Sequence, residues 1–210
     1  MSGAFSMHAL WTLLSALGNS KWLLPAAVLL VLFSGPQRWV LGARWLGAVA
    51  CVSLLVLASK LAFMGWGVGS HRLDFTGFSG HATLSAAIYP VALGLLAGPR
   101  WRGLGIAAGV LLALAISYSR LPLHAHSVSE VVSGSILGLM ASVWFYQGGL
   151  APMRAPLLAC GAAVVVAAAA SQNVMPGVAT HDIVMRLAQS MSGRDVLYDR
   201  AWLRQSRKAV

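Results

Sequence analysis

The chain has 210 residues, 58% of them hydrophobic and only 10% charged, against roughly 25% charged residues in an ordinary soluble domain. That balance excludes a soluble globular protein and makes the bilayer its solvent. The formal charge of +10 does not indicate a nucleic-acid partner, because the 15 lysines and arginines are scattered in ones and twos between apolar runs, with a denser group only after residue 185.

A transmembrane helix needs about 20 mostly apolar residues, and the chain carries a series of apolar runs near that length. Residues 5 to 18 are apolar but short and broken by Gly18-Asn19-Ser20, so they are expected to form an interfacial helix, with no removable signal peptide. The first span is expected at 21 to 34, ending at Ser34-Gly35-Pro36, and the second at about 45 to 66. Further spans are expected at 82 to 98, 103 to 118, 127 to 147 and 155 to 171. The fold expected is therefore an all-α polytopic membrane bundle of about six transmembrane helices. It divides into residues 1–172, with an interfacial helix over 1–20, and a basic amphipathic tail over 173–210. In that tail, Ile183, Val184, Leu187 and Met191 share one helical face, which favours binding to the membrane surface. Two GxxxG pairs, Gly105 with Gly109 and Gly134 with Gly138, permit close helix contact. Cys51 and Cys160 lie within apolar runs in no CxxC or His/Cys spacing, so neither a disulfide framework nor a zinc site is expected.

Arg38, Arg44, Arg100, Arg102 and Arg154 occupy alternate connections without an acid among them, and the positive-inside rule places those connections in the cytoplasm. The connections at 67 to 81 and 119 to 127 then face the outer side. Helix parity sends the basic tail to that side too, against the rule, so either the last run does not span or the tail lies on the membrane surface.

Ionisable groups in or beside spans are costly, which makes each a functional candidate. Here they gather in the two outer connections. His126 and Glu130 are four residues apart and share a helical face if a helix starts near Ser127. A carboxylate one turn away can fix the tautomer of His126 and leave its other nitrogen free to attack; a capping box from Ser127 to Glu130 is the structural alternative, and both can hold. Ser79-Gly80-His81 opens a span, where free N–H groups and the helix dipole favour an anion and His81 can donate a proton. The alternative is a glycine turn beside an interfacial histidine. Arg120 and Lys60 are either phosphate-binding cations or a surface cation and a snorkelling lysine. Arg72 and Asp74 are auxiliary candidates, with a local ion pair as their simpler use. His71 and His124 fit no required spacing and are read as interfacial. The tryptophans are read as interface anchors and packing residues.

Together these residues resemble the type 2 phosphatidic acid phosphatase superfamily, which includes the vanadium haloperoxidases. Its motifs are Lys-x6-Arg-Pro, Pro-Ser-Gly-His and Ser-Arg-x5-His-x3-Asp. The third is matched by Ser119, Arg120, His126 and Glu130, and the second by Phe78, Ser79, Gly80 and His81. The first survives only as Lys60, with Gly67 and Val68 where Arg-Pro is expected; Phe78 replaces the motif's proline and Glu130 its aspartate. The resemblance implies His126 as nucleophile, His81 as acid for the leaving group, and Glu130 as the residue orienting His126. It implies Lys60, Ser79, Gly80 and Arg120 as the phosphate-binding set, without a metal or other cofactor. The expected partners are the bilayer and a membrane lipid phosphate, hydrolysed at the outer face of a bacterial inner membrane. A polyprenyl diphosphate, phosphatidylglycerol phosphate or phosphatidate would fit. A phosphotransferase of the same fold and a non-catalytic lipid-phosphate binder or transporter are the rival functions.

Overall fold

The computed structural model describes residues 2–32, 39–147 and 180–206. Over these it is helical, with α1 (Ser2–Leu17), α2 (Ser20–Leu32), α3 (Trp39–Trp66), α4 (Gly80–Leu96), α5 (Gly98–Ser119), α6 (Val128–Gln147), α7 (Thr180–Ser192) and α8 (Arg200–Ser206). Helices α3, α5 and α6 are each long and apolar enough to cross a membrane, and α1 with α2, bent by 41°, makes a fourth candidate. Helix α4 is apolar but shorter. The span expected at 155–171, the connection with Arg154, and the boundary between 172 and 173 lie outside the described residues.

At the N-terminus, Met7–Leu17 and Ser20–Leu32, the described part of the first expected span, are together long and apolar enough for one span with a 41° bend. The break follows from Gly18-Asn19: the Asn19 side chain accepts from the Lys21 N–H at 3.0 Å and so starts a new helix.

Helix α4 is the centre of the bundle. Both GxxxG pairs pack against it: a Cβ on Gly109 would lie 2.4 Å from the Tyr89 carbonyl oxygen, and one on Gly138 would lie 2.1 Å from that of Thr83. Only glycine lets these backbones approach so closely. Pro90 lies inside α4 and has no N–H to give the Ala86 carbonyl. Ser142 of α6 donates to that carbonyl instead, at 2.6 Å. Trp45 is buried and donates from its indole to the Ala87 carbonyl at 3.1 Å, so this tryptophan is a packing residue. The core of Leu23, Ala27, Val49, Leu84, Val91 and Phe145 closes around these contacts.

The connectivity sorts the polar residues to opposite ends. Arg44, at the start of α3, lies over Trp144 at the end of α6, and Arg100 and Arg102 open α5. The other end carries the C-terminus of α3, the N-termini of α4 and α6, and the end of α5. Helix α7 packs there, with Val184 and Ala188 buried against Leu61 of α3. The amphipathic face expected to bind the membrane surface is therefore divided: Val184 is buried in the protein, while Ile183, Leu187 and Met191 are exposed.

Candidate functional site

The two outer connections are built to meet. In the first, Ser70 and Phe75 exchange two backbone hydrogen bonds of 3.0 Å, closing a loop whose last residue, Asp74, has φ of +49°. Gly77 follows at φ +140°, and a Cβ there would press against Lys60 at 3.1 Å. The Phe78 N–H donates to Ser59 Oγ at 3.1 Å, which fastens the loop beside Lys60 on α3. In the second connection, the Arg120 carbonyl accepts from the N–H groups of Ala125 and His126, at 3.1 and 3.4 Å. That fold-back is why an arginine and a histidine six positions apart share one site. The Ser79 N–H donates to the Glu130 carbonyl at 3.2 Å and ties the starts of α4 and α6 together.

Glu130 is fully buried and its carboxylate is saturated. His126 donates from Nδ1 to Oε2 at 2.7 Å, because a carboxylate can only accept, and this leaves the Nε2 lone pair free. The Ser127 N–H reaches the same oxygen at 3.2 Å, so the capping-box contact and the histidine contact coexist. Oε1 accepts from the backbone N–H and hydroxyl of Thr76, at 2.7 and 2.6 Å. Arg200 Nη2 donates to both oxygens, at 2.8 and 2.7 Å.

Lys60, His81 and Arg120 lie within electrostatic reach of His126. The charges of Arg120, His126 and Lys60 all act on His81, and those of Lys60 and Arg120 act on His126. Burial holds His126 below its ordinary 6.5, with the positive charges of Lys60 and Arg120 acting the same way and the Glu130 contact opposing them. Arg120 Nη1 donates to Ser15 Oγ of α1, which lays the N-terminal helix beside the site. Ser79 is fully buried at the N-cap of α4, yet its side chain does not cap the helix. Among the described residues its hydroxyl and Arg120 Nε have no hydrogen-bond partner. Such groups are costly to leave unpaired, and both belong to the set predicted to hold phosphate oxygens. Among the described residues, no three His, Cys, Asp or Glu side chains gather as metal ligands.

Asp74 and Arg72 depart from expectation. Asp74 pairs with the tail, at 3.0 Å from both Arg200 Nη1 and Arg204 Nη2, while Arg72 is exposed and makes no ion pair among the described residues. Burial would raise the Asp74 carboxyl, but hydrogen bonds from Arg204 and Arg200 outweigh it and hold the group below its usual range. His71 accepts no role at the dyad; its Nδ1 lies 2.8 Å from the Leu203 carbonyl of α8, so it donates there. His124, exposed and at φ +51°, lines an open cleft of about 540 Å³ with His126, Ser127, Asp74, Arg200 and Arg204. Arg200 is the residue that motif reading missed. No motif signals it, since the basic tail was expected only to lie on the membrane surface.

A family model described as PAP2 superfamily matches residues 59–154. A curated relative, an uncharacterized 22.5 kDa protein in the cps region of Klebsiella pneumoniae, is 46% identical over 140 residues, covering 64% of this chain and 67% of the relative. No solved structure matches the chain. The family match spans Lys60, Ser79, Gly80, His81, Arg120, His126 and Glu130 and stops short of Arg200.

Proposed function

The chain belongs to the PAP2 superfamily, whose members generally hydrolyse phosphate esters, and on that premise we propose that it is an integral membrane phosphatase acting on a lipid phosphomonoester or diphosphate. The observation that carries this reading is the 2.7 Å bond from His126 Nδ1 to buried Glu130, which leaves Nε2 as a nucleophile among Lys60, His81 and Arg120.

The reaction divides into two displacements. Nε2 of His126 attacks phosphorus and the bond from phosphorus to the leaving oxygen breaks, while that oxygen takes a proton from His81. Water then attacks the phosphohistidine, returning a proton to His81 and releasing inorganic phosphate with His126 neutral again. Lys60, Arg120, the Ser79 hydroxyl and the Gly80 N–H at the start of α4 hold the phosphoryl oxygens, where the helix dipole also favours an anion. An incoming phosphate offsets the cationic charge of the site, which allows His81 to carry the proton that the leaving oxygen needs.

The site lies at the end of the bundle opposite Arg44, Arg100 and Arg102, which supports an outward-facing site in a bacterial inner membrane. Substrate would arrive with its chains in the bilayer and its head group at the polar end of the bundle. The test is phosphate release from a panel of lipid phosphates, with a lipid acceptor present, by the purified protein and its His126→Ala variant. Release by the wild type and none by the variant is expected. Equal release from both overturns the mechanism, and a phosphorylated acceptor in place of free phosphate identifies a transferase.

A further inference from the structure

The family match ends at residue 154, yet a residue that holds both oxygens of Glu130 comes from the tail. Arg200 stands between two acids. Its Nη2 donates to both oxygens of Glu130 and, at 3.2 Å, to Thr76 Oγ1. Its Nη1 donates to the carboxylate of Asp74 at 3.0 Å and to the Asp74 carbonyl at 3.1 Å. Arg204 braces the same Asp74 oxygen at 3.0 Å.

The tail is fastened to the bundle independently of these charges. Val184 and Ala188 pack on Leu61, the Tyr198 N–H donates to the Met64 carbonyl at 2.9 Å, and His71 bonds the Leu203 carbonyl. The arginine is therefore delivered to the dyad by a docked structure. The Glu130 carboxylate accepts from His126, Thr76 and Arg200 together.

We propose that Arg200 is a positioning residue of the catalytic centre, supplied by the C-terminal tail, which fixes the Glu130 carboxylate so that His126 presents Nε2 to the substrate. The proposal deepens the phosphatase reading and rests on it for its kinetic consequence only. Asp74 and Arg204 set the position of Arg200 in turn. Among the described residues, the charged or titratable groups facing His126 are Lys60 from α3, His81 from α4, Arg120 from the end of α5, Glu130 from α6, Asp74 and His124 from the two connections, and Arg200 and Arg204 from the tail.

The test compares the full-length wild type with Arg200→Ala and Arg200→Lys in detergent micelles. One readout is steady-state hydrolysis of a short-chain phosphatidate, and the other is the NMR titration of the His126 ring, which needs no turnover. In Arg200→Ala, kcat should fall by about tenfold or more with KM nearly unchanged. The His126 titration should also move to higher pH, because a cation beside Glu130 has been removed. Arg200→Lys keeps the charge but not the fork, so its titration should stay near wild type while kcat recovers in part. If Arg200→Ala does not fold, a lower kcat at unchanged KM in folded Arg200→Lys carries the same test. Unchanged kcat and an unchanged His126 titration in a folded variant overturn the proposal. A raised KM with kcat retained overturns it as well, since Arg200 would then be binding substrate. If no form hydrolyses any lipid phosphate while the His126 titration shifts as described, the phosphatase reading fails and the positioning role stands.

Discussion

Arg200 donates from a single nitrogen to both carboxylate oxygens of Glu130, at 2.8 and 2.7 Å, across a separation of 70 residues. The carboxylate is fully buried and the arginine side chain is 26% exposed, so the pair sits at the mouth of the site with its acid inside. A buried acid of this kind is tolerable only with its partners in place. Its value here lies in orientation, since the same oxygens hold His126.

Glu130→Gln keeps the size of the side chain but removes the charge and one acceptor. The amide nitrogen can only donate, so either His126 and Ser127 or Thr76 lose their acceptor, while Arg200 keeps one of its two. We expect kcat to fall by about 100-fold or more, within the range for a lost acid–base partner, with Glu130→Asp less impaired. Steady-state kinetics on a detergent-dispersed lipid phosphate would measure it; a kcat within threefold of wild type for Glu130→Gln would contradict the role.

The pH profile follows from His126. Burial lowers its pKa from the ordinary 6.5, so the neutral, nucleophilic imidazole persists to lower pH than in a free histidine. Activity limited by this group should rise with pH and reach its plateau before neutrality. A plot of log kcat/KM against pH should show an ascending limb below 6.5, and a limb centred above 7 would show that another group controls the step.

Ser79 separates stability from binding. Its buried hydroxyl has no partner among the described residues and does not cap α4, so Ser79→Ala removes no internal hydrogen bond. The melting temperature should be unchanged or slightly higher. KM should rise by about tenfold, the worth of a hydrogen bond to a charged group. A lower melting temperature with normal KM would mean that the hydroxyl serves the fold.

The glycine contacts on α4 predict a graded series. Gly138→Ala would place a methyl 2.1 Å from the Thr83 carbonyl oxygen, whereas Gly103→Ala meets nothing within 4 Å. The first should cost about 1–3 kcal/mol, the usual range for overpacking, and the second should leave the unfolding temperature in detergent nearly unchanged. Equal effects would contradict the packing described.

The bundle was legible because composition and run length are strong signals, and the close contacts were legible as Gly105, Gly109, Gly134 and Gly138. The motif residues were legible because local geometry makes their spacing meaningful. The Arg120 carbonyl folds the chain back to His126 within one turn of loop, and Glu130 lies one helical turn further on. Arg200 was not legible, since its place depends on how the tail docks, through Val184 and Ala188 against Leu61. Those residues carry the same apolar pattern whether they meet lipid or protein. For the same reason Asp74 was assigned to its neighbour Arg72, while its carboxylate pairs with the tail. The bend between α1 and α2 was half legible: Gly18-Asn19 marks the break, but a break alone does not say whether one span or two helices result.

The central claim is a covalent phosphoryl intermediate on His126. Rapid quenching of the enzyme with a radiolabelled short-chain lipid phosphate, followed by peptide mapping, tests it most directly. The account predicts an acid-labile, base-stable label on the peptide containing His126, formed and lost at rates that match turnover and absent from His126→Ala. Phosphate release at the wild-type rate with no such label, or a label that persists in His126→Ala, would contradict it.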